Sequence, residues 1–235
     1  MAEDPVITVD GPSGTGKGTI CLRLAMLLRW HFLDSGVLYR TLALTALRNG
    51  HGLENTPELG RLAEHLDIRF RPDSTGTHVA IWIGDDEVTS SIRTEECGNA
   101  ASKIAVYPAV RAGLLSLQRA FRQSPGLIAD GRDMGTVVFP DATLKIFLTA
   151  SADERAKRRY KQLKEQGFSV NLAHLSAEIA ERDERDAKRS ASPLTPASDA
   201  IIIDTTAVNA EAVGLQVLDL VRKNFPEQVR QLPIN

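Results

Sequence analysis

The chain has 235 residues, 43% hydrophobic, 25% charged and only 5% aromatic. That length and balance suit one α/β core with an aliphatic interior and an insertion. A formal net charge of −2 excludes the basic excess of a protein built to hold long nucleic acid, so anions must be met by local clusters.

No segment is long and apolar enough to span a bilayer, and the N-terminal Met-Ala-Glu-Asp-Pro lacks the basic start and apolar run of a signal peptide. Cys21 and Cys97 match no metal spacing. A cytoplasmic protein with free thiols is expected.

In chain order, Pro5–Asp10 (P-V-I-T-V-D) reads as a short buried strand with a glycine-rich turn directly behind it. A helix is predicted from Gly16 or Lys17 to about Arg29, its apolar face supplied by Cys21, Leu22, Leu24, Ala25, Leu27 and Leu28. A second helix is predicted from about Val37 to Arg48, stopping before Asn49-Gly50. The texture then changes. Leu66–Arg71, Thr77–Ile83 and the stretch near Val88 read as short strands separated by polar turns at 72–76 and 84–87, a small antiparallel insert.

Helical patterns return between Thr94 and Arg122. Gly126–Asp130 and Leu144–Thr149 read as buried parallel strands. Charged helices are expected over Ala152–Gln166 and Leu175–Lys188, with a loop around Gly167–Asn171. A strand at Ala200–Asp204 and a helix near Asn209–Asn224 follow. There is no internal repeat. Strands interleaved with helices predict an α/β fold with a mostly parallel sheet flanked by helices, whose ligands sit at the carboxyl ends of the strands.

Residues Gly11 to Thr19 read G-P-S-G-T-G-K-G-T. Gly11, Gly16 and Lys17 fit the G-x-x-x-x-G-K spacing of a phosphate-binding loop between a strand and a helix. The glycines let successive backbone N–H groups turn toward phosphate oxygens, and the helix start adds partial positive charge. Lys17 can oppose the β- and γ-phosphates during transfer. Gly18 stands where the strict motif has a magnesium-binding Ser or Thr, which points to an ion held mainly by phosphates and water. The G-K-G-T form resembles nucleoside monophosphate kinases more than GTPases, and no N-K-x-D segment of the kind that reads guanine is present.

Three further clusters bear on the acceptor. Asp34-Ser35-Gly36-Val37-Leu38-Tyr39-Arg40 opens a helix, with Ser35 and Tyr39 on one face and Arg40 able to grip a phosphate. An N-cap at Asp34 or Ser35 with a packed Tyr39 fits the same segment. Ala129-Asp130-Gly131-Arg132-Asp133-Met134-Gly135-Thr136 follows a buried strand. There Asp130 suits Mg²⁺ through water and Arg132 suits a phosphate, while Asp133 suits an amino group or an arginine. A polar turn with a structural ion pair is the alternative.

Glu181 to Arg189 places Arg182, Asp186 and Arg189 on one helical face, either as a solvated salt-bridged helix or as a mobile lid. Arg155, Lys157, Arg158 and Arg159 suit the same lid.

Together these segments, with Asn99-Ala100-Ala101-Ser102 and the run from Ala129 to Ala142, resemble bacterial cytidylate kinase from Val6 to about Asp204. The resemblance implies one mononucleotide-kinase unit. Its core would cover about 1–60, 91–150 and 190–225, with a strand-rich acceptor-binding insert at about 61–90 and a helical lid at about 151–189. It implies transfer of the γ-phosphoryl group of ATP to CMP or dCMP with Mg²⁺, by a monomer with neither nucleic acid nor membrane as partner.

By the same resemblance the donor would be held by Gly11, Pro12, Ser13, Gly14, Thr15, Gly16, Lys17, Gly18, Thr19 and Arg158. The acceptor would be held by Ser35, Tyr39, Arg40, Ser102, Arg111, Arg132, Asp133, Arg182, Asp186 and Arg189. Lys17, Arg132, Arg182 and Arg189 would act on the transferring group. Arg40, Arg111 and Arg132 suit the acceptor phosphate. Ser35, Ser102, Arg132 and Asp133 suit the cytosine edge, Arg182 and Asp186 the sugar hydroxyls, and Arg189 the phosphates. A kinase with another acceptor (UMP, AMP or a small metabolite) and a non-catalytic nucleotide-binding regulator are the rival readings.

Overall fold

A computed structural model describes residues 3–72, 79–165, 167, 169–189 and 191–230. The chain divides into two compact units, 35–118 and the remainder.

The unit formed by 1–34 and 119–235 is built on β1 (Val6–Asp10), α1 (Lys17–Leu28) and β2 (His31–Asp34) from the N-terminal segment. β2 lies where the sequence shows no more than a short apolar segment. The other unit, 35–118, contains α2 (Ser35–Arg48), α3 (Thr56–Glu64), β3 (Ile68–Pro72), β4 (Val79–Ile83), β5 (Asp86–Glu87), a 3₁₀ turn at Ser91–Arg93, α4 (Glu95–Ile104) and α5 (Pro108–Arg119, its last residue falling in the first unit). The first unit resumes with β6 (Leu127–Gly131), a π-helical turn at Met134–Val138, β7 (Leu144–Thr149), α6 (Ala152–Glu165), α7 (Leu172–Lys188), β8 (Ile201–Asp204), α8 (Ala210–Asn224) and α9 (Pro226–Arg230).

In the first unit five strands form one parallel sheet in the order β2-β6-β1-β7-β8. β1 and β6 are buried along their whole length, as mostly apolar strands are when both sheet faces are covered. Ile7, Val9, Ile128, Ile146 and Leu148 pack with Ile20, Cys21 and Leu24 of α1 and with Val213, Val217 and Val221 of α8. Trp30 meets Phe225 edge-on at 5.2 Å between ring centroids. The order places the ends of β1 and β6 side by side, with Asp10 opposite Gly131 and Asp34 opposite Asp130. The phosphate loop and the Gly131–Asp133 turn therefore leave the same edge of the sheet.

In the second unit β3-β4-β5 form an antiparallel sheet, with Ile68 opposite Ile83. Ile81, Val88, Ile92 and Cys97 form its small core. The predicted turn at 72–76 lies mostly outside the described residues. The strand near Val88 is instead Asp86–Glu87; Val88 itself is fully buried and donates to the Ile81 carbonyl at 2.8 Å. α3 was not expected. Asn55 caps it by accepting from the Glu58 N–H at 3.4 Å, with Pro57 in the first turn.

Candidate active site

At the end of β1 the chain turns on glycines with φ of +142° at Gly11, +80° at Gly14 and +91° at Gly16. A Cβ on Gly11 would stand 2.0 Å from the Leu148 carbonyl oxygen, so no other residue fits there. Ser13 and Gly14 form the turn that follows Pro12. Thr15 is buried and its hydroxyl donates to the Pro12 carbonyl at 3.1 Å. Gly16 is the N-cap of α1, which has neither a side-chain cap nor an acidic residue in its first turn. That end keeps its N–H groups and positive dipole for an anion.

Lys17 folds back over the loop, and its ammonium donates to the Pro12 carbonyl at 2.7 Å. Burial, with repulsion from Arg132, pushes its pKa down; Asp130 works against that. Asp130 moves the other way, up, because it is buried and faces Asp34 and Asp10, with Lys17 opposing. Asp130, Asp34 and Asp10 thus share the site with two cationic groups, Lys17 and Arg132. A Cβ on Gly18 would sit 3.5 Å from Asp130 Oδ2, so the carboxylate borders the position of the missing hydroxyl.

Asp10, which the sequence reading did not single out, accepts from the Met134 and Gly135 N–H groups, both at 2.8 Å. These bonds tie β1 to the turn after Arg132. Burial raises its pKa to about 6, partly offset by these two bonds.

Arg132 donates through Nε to Asp186 at 3.1 Å and through Nη1 to the Gly131 carbonyl at 3.1 Å. Burial opposes its charge, but Asp186 and Asp130 outweigh that and hold its pKa above the usual value. Asp186 is held down despite burial by Arg132, Arg189 and Arg182. Asp133 is buried, and its carbonyl closes the π-turn by accepting from the Val138 N–H at 3.2 Å.

Arg189 does not continue the helical face as predicted. α7 ends at Lys188 and Arg189 has ψ 131°, because Pro193 and two serines follow and do not sustain a helix. Its guanidinium still lies 3.9 Å from Asp186. Glu181 pairs with Arg185 one turn on. α7 begins at Leu172, three residues early, because Asn171 caps it by accepting from Ala173 and His174.

A cavity of 570 Å³ opens beside the loop, lined by Gly14, Thr15, Gly16 and Thr19 on one side and by Arg158, Arg159, Gln162 and the Thr205–Ala210 segment on the other. Arg158 is anchored there: Nη1 donates to the Thr205 hydroxyl at 3.0 Å and Nε to Glu154 at 2.9 Å. The Thr205–Ala210 wall was not anticipated. It carries no motif and lies about 190 residues from the loop it faces.

In the other unit, Ser35 is the first residue of α2 and is buried, as are Tyr39 on the same helix and Ser102 on α4. Arg111 lies over the Tyr39 ring at 5.7 Å and donates to the Ala105 carbonyl at 3.1 Å. Arg40 donates to the carbonyls of Ile92 at 2.7 Å and Thr94 at 3.0 Å. Gly98 makes room for it, since a Cβ there would come within 2.7 Å of the guanidinium. Tyr39 and Arg111 are thus brought together inside one unit from positions 72 apart in sequence.

The sequence profile described as cytidylate kinase matches residues 7–223. The chain belongs to the cytidylate kinase family. A cytidylate kinase from Shewanella denitrificans is 56% identical over 221 residues, covering 94% of this chain and 97% of that one. Another family member, from Nitrosococcus oceani, is 57% identical over 216 residues, covering 92% and 95%. A gluconokinase structure from Sinorhizobium meliloti aligns over 98% of this chain and 99% of that one at 13% identity and a TM-score of 0.47. Among the described residues no helix is long and apolar enough to cross a membrane, and no cluster of three or more His, Cys, Asp or Glu is arranged to hold a metal alone.

Proposed function

We infer that this chain is a nucleoside monophosphate kinase that moves the γ-phosphoryl group of ATP to CMP or dCMP, yielding CDP or dCDP and ADP. The observation that carries this is family membership across 7–223 together with an intact phosphate loop around a buried Lys17. The acceptor phosphate is already an oxyanion, so no strong general base is required. The work is to align two polyanions and offset their charge.

The uncapped start of α1 and the glycine turns suit the donor phosphates, and the cavity between the loop and Thr205–Ala210 suits the donor base, with Arg158 at its wall. Donor phosphates would draw the Lys17 ammonium from the Pro12 carbonyl and restore its full charge. Asp130, at the end of β6 and beside Gly18, would hold Mg²⁺ through water. The ion, when bound, supplies charge neutralisation at the β- and γ-oxygens.

On the acceptor side, Arg40, Arg111 and Arg132 are assigned to the phosphate and Ser35, Ser102, Arg132 and Asp133 to the cytosine edge. Arg182 and Asp186 are assigned to the sugar hydroxyls, with Arg189 on the phosphates. Tyr39 supports Arg111. The assignment keeps the division into core, an insert at 61–90 and a lid at 151–189, and describes a cytoplasmic monomer without nucleic-acid partners.

ADP release from MgATP with CMP, dCMP, UMP, AMP and GMP as separate acceptors, beside an acceptor-free control, tests the reading. Turnover confined to CMP and dCMP, with weak UMP, supports it. Preference for another nucleotide removes the base assignments, and no acceptor-dependent turnover at all leaves only a nucleotide-binding regulator.

A further inference from the structure

We propose that Arg155 and Asp183 form a positioning pair that fixes α7 to the crown of the phosphate loop. Arg155 stands in the first turn of α6 and is only 4% exposed. Its guanidinium is divided among three segments, two of them distant in sequence. Nε donates to the Ala150 carbonyl behind β7 at 3.1 Å, and Nη1 to the Ser13 carbonyl in the phosphate loop at 3.2 Å. Nη1 and Nη2 together grip the two carboxylate oxygens of Asp183 on α7, at 3.0 and 2.5 Å.

The side-chain stem lies against the loop as well, since a Cβ on Gly14 would stand 3.0 Å from the Arg155 Cβ. Arg158 and Arg159, one turn on, line the nucleotide cavity; Arg155 is not part of its wall. It is turned to the loop's backbone and to α7.

An exposed ion pair contributes little, but a bidentate arginine buried on its own side is directional and hard to exchange for water. Asp183 sits one residue after Arg182 and three before Asp186, whose carboxylate takes Arg132 Nε at 3.1 Å. α7 is therefore tied twice within one turn, to the phosphate loop through Asp183 and to the Gly131–Asp133 turn through Asp186. Through the first tie, the placement of the donor loop sets the placement of Arg182 and Asp186. The inference rests on the reading of those two residues as acceptor contacts.

The test uses the full chain with Asp183→Asn, Asp183→Glu, Arg155→Lys and the double variant Arg155→Lys/Asp183→Asn. Steady-state kinetics with MgATP and CMP are combined with hydrogen exchange over residues 172–188 in the nucleotide-free protein. For Asp183→Asn, kcat is expected to fall about tenfold and KM for CMP to rise about tenfold, with KM for ATP within about twofold. Asp183→Glu should recover part of both losses. The double variant should be no worse than the more damaged single one, because both remove the same tie.

Exchange over 172–188 should accelerate in Asp183→Asn. A merely structural role would lower the active fraction and leave both KM values alone; that result, or losses that multiply in the double variant, overturns the proposal. If the unsubstituted protein does not turn over CMP, the acceptor reading fails on its own. The exchange comparison still decides on the pair, and unchanged exchange in Asp183→Asn overturns it.

Discussion

Replacing Gly11 by alanine tests the claim that the phosphate loop is set by close approach of two backbones. The added Cβ would lie 2.0 Å from the Leu148 oxygen, whereas carbon and carbonyl oxygen normally approach to about 3.3 Å. One side must retreat by more than about 1 Å. β7 is hydrogen-bonded on both edges, to β1 and β8, and nearly all of it is buried, so the loop gives way. Overpacking costs about 1–3 kcal/mol, and φ of +142° adds strain of about 1–3 kcal/mol for a residue with a Cβ. The sum is a large share of the roughly 5–15 kcal/mol that holds an ordinary domain.

A loop displaced by about 1 Å should also lose about 10²-fold in kcat/KM. Gly50→Ala is the control: φ is +73° with nothing within 4 Å of a built Cβ, so only about 1–2 kcal/mol of conformational strain is expected, without loss of activity. Urea midpoints and ADP release with CMP give both numbers for each variant. If Gly11→Ala matches Gly50→Ala in stability and activity, the close-approach argument is wrong.

Lys17→Ala should remove nearly all turnover while leaving the fold intact; a wild-type kcat would dismiss the phosphate-loop assignment. Burial raises Asp10 to about 6 from an ordinary value of 3.8, so the folded state holds its proton more tightly. Its contribution to stability is present below about pH 4 and is lost as pH rises through about 6, a change of about 3 kcal/mol. Urea midpoints of the parent and of Asp10→Asn, followed from pH 4 to 7, should diverge by that order across the window, and a constant difference would contradict the assignment. Phe225→Ala removes the edge-on partner of Trp30 and should cost about 3–5 kcal/mol with both KM values unchanged, as read by urea unfolding and kinetics.

The elements that carry their own period were legible in the sequence: β1, β6 and β7 as mostly apolar runs, and α1 and α2 as apolar faces. β2 was missed because only Leu33 of its four residues is fully buried and its pairing with β6 is supplied by residues about a hundred positions away. α3 did have a signal, the Asn55 cap and Pro57; its buried face is only Leu59, Gly60 and Ala63, too small for periodicity to register. The Arg132 turn, a π-helical bend held from below by Asp10, depends on a contact across 124 residues that no local pattern encodes. The same holds for the Thr205 wall and for Arg155, whose neighbours Arg158 and Arg159 look alike in sequence and face the cavity instead.

The strand order also governs when each part of the chain can become stable during synthesis. Residues 35–118 form one continuous stretch, so every contact inside that unit is available once Gln118 has left the ribosome. The five-stranded sheet cannot begin to close at its centre until β6 arrives to pair with β1, more than a hundred residues after β1 is made. Its last edge waits for β8 at Ile201–Asp204. Long-range parallel pairing of this kind is slow. A nascent chain therefore carries a complete smaller unit while β1, a mostly apolar strand, is still unpaired and exposed to aggregation or to a chaperone.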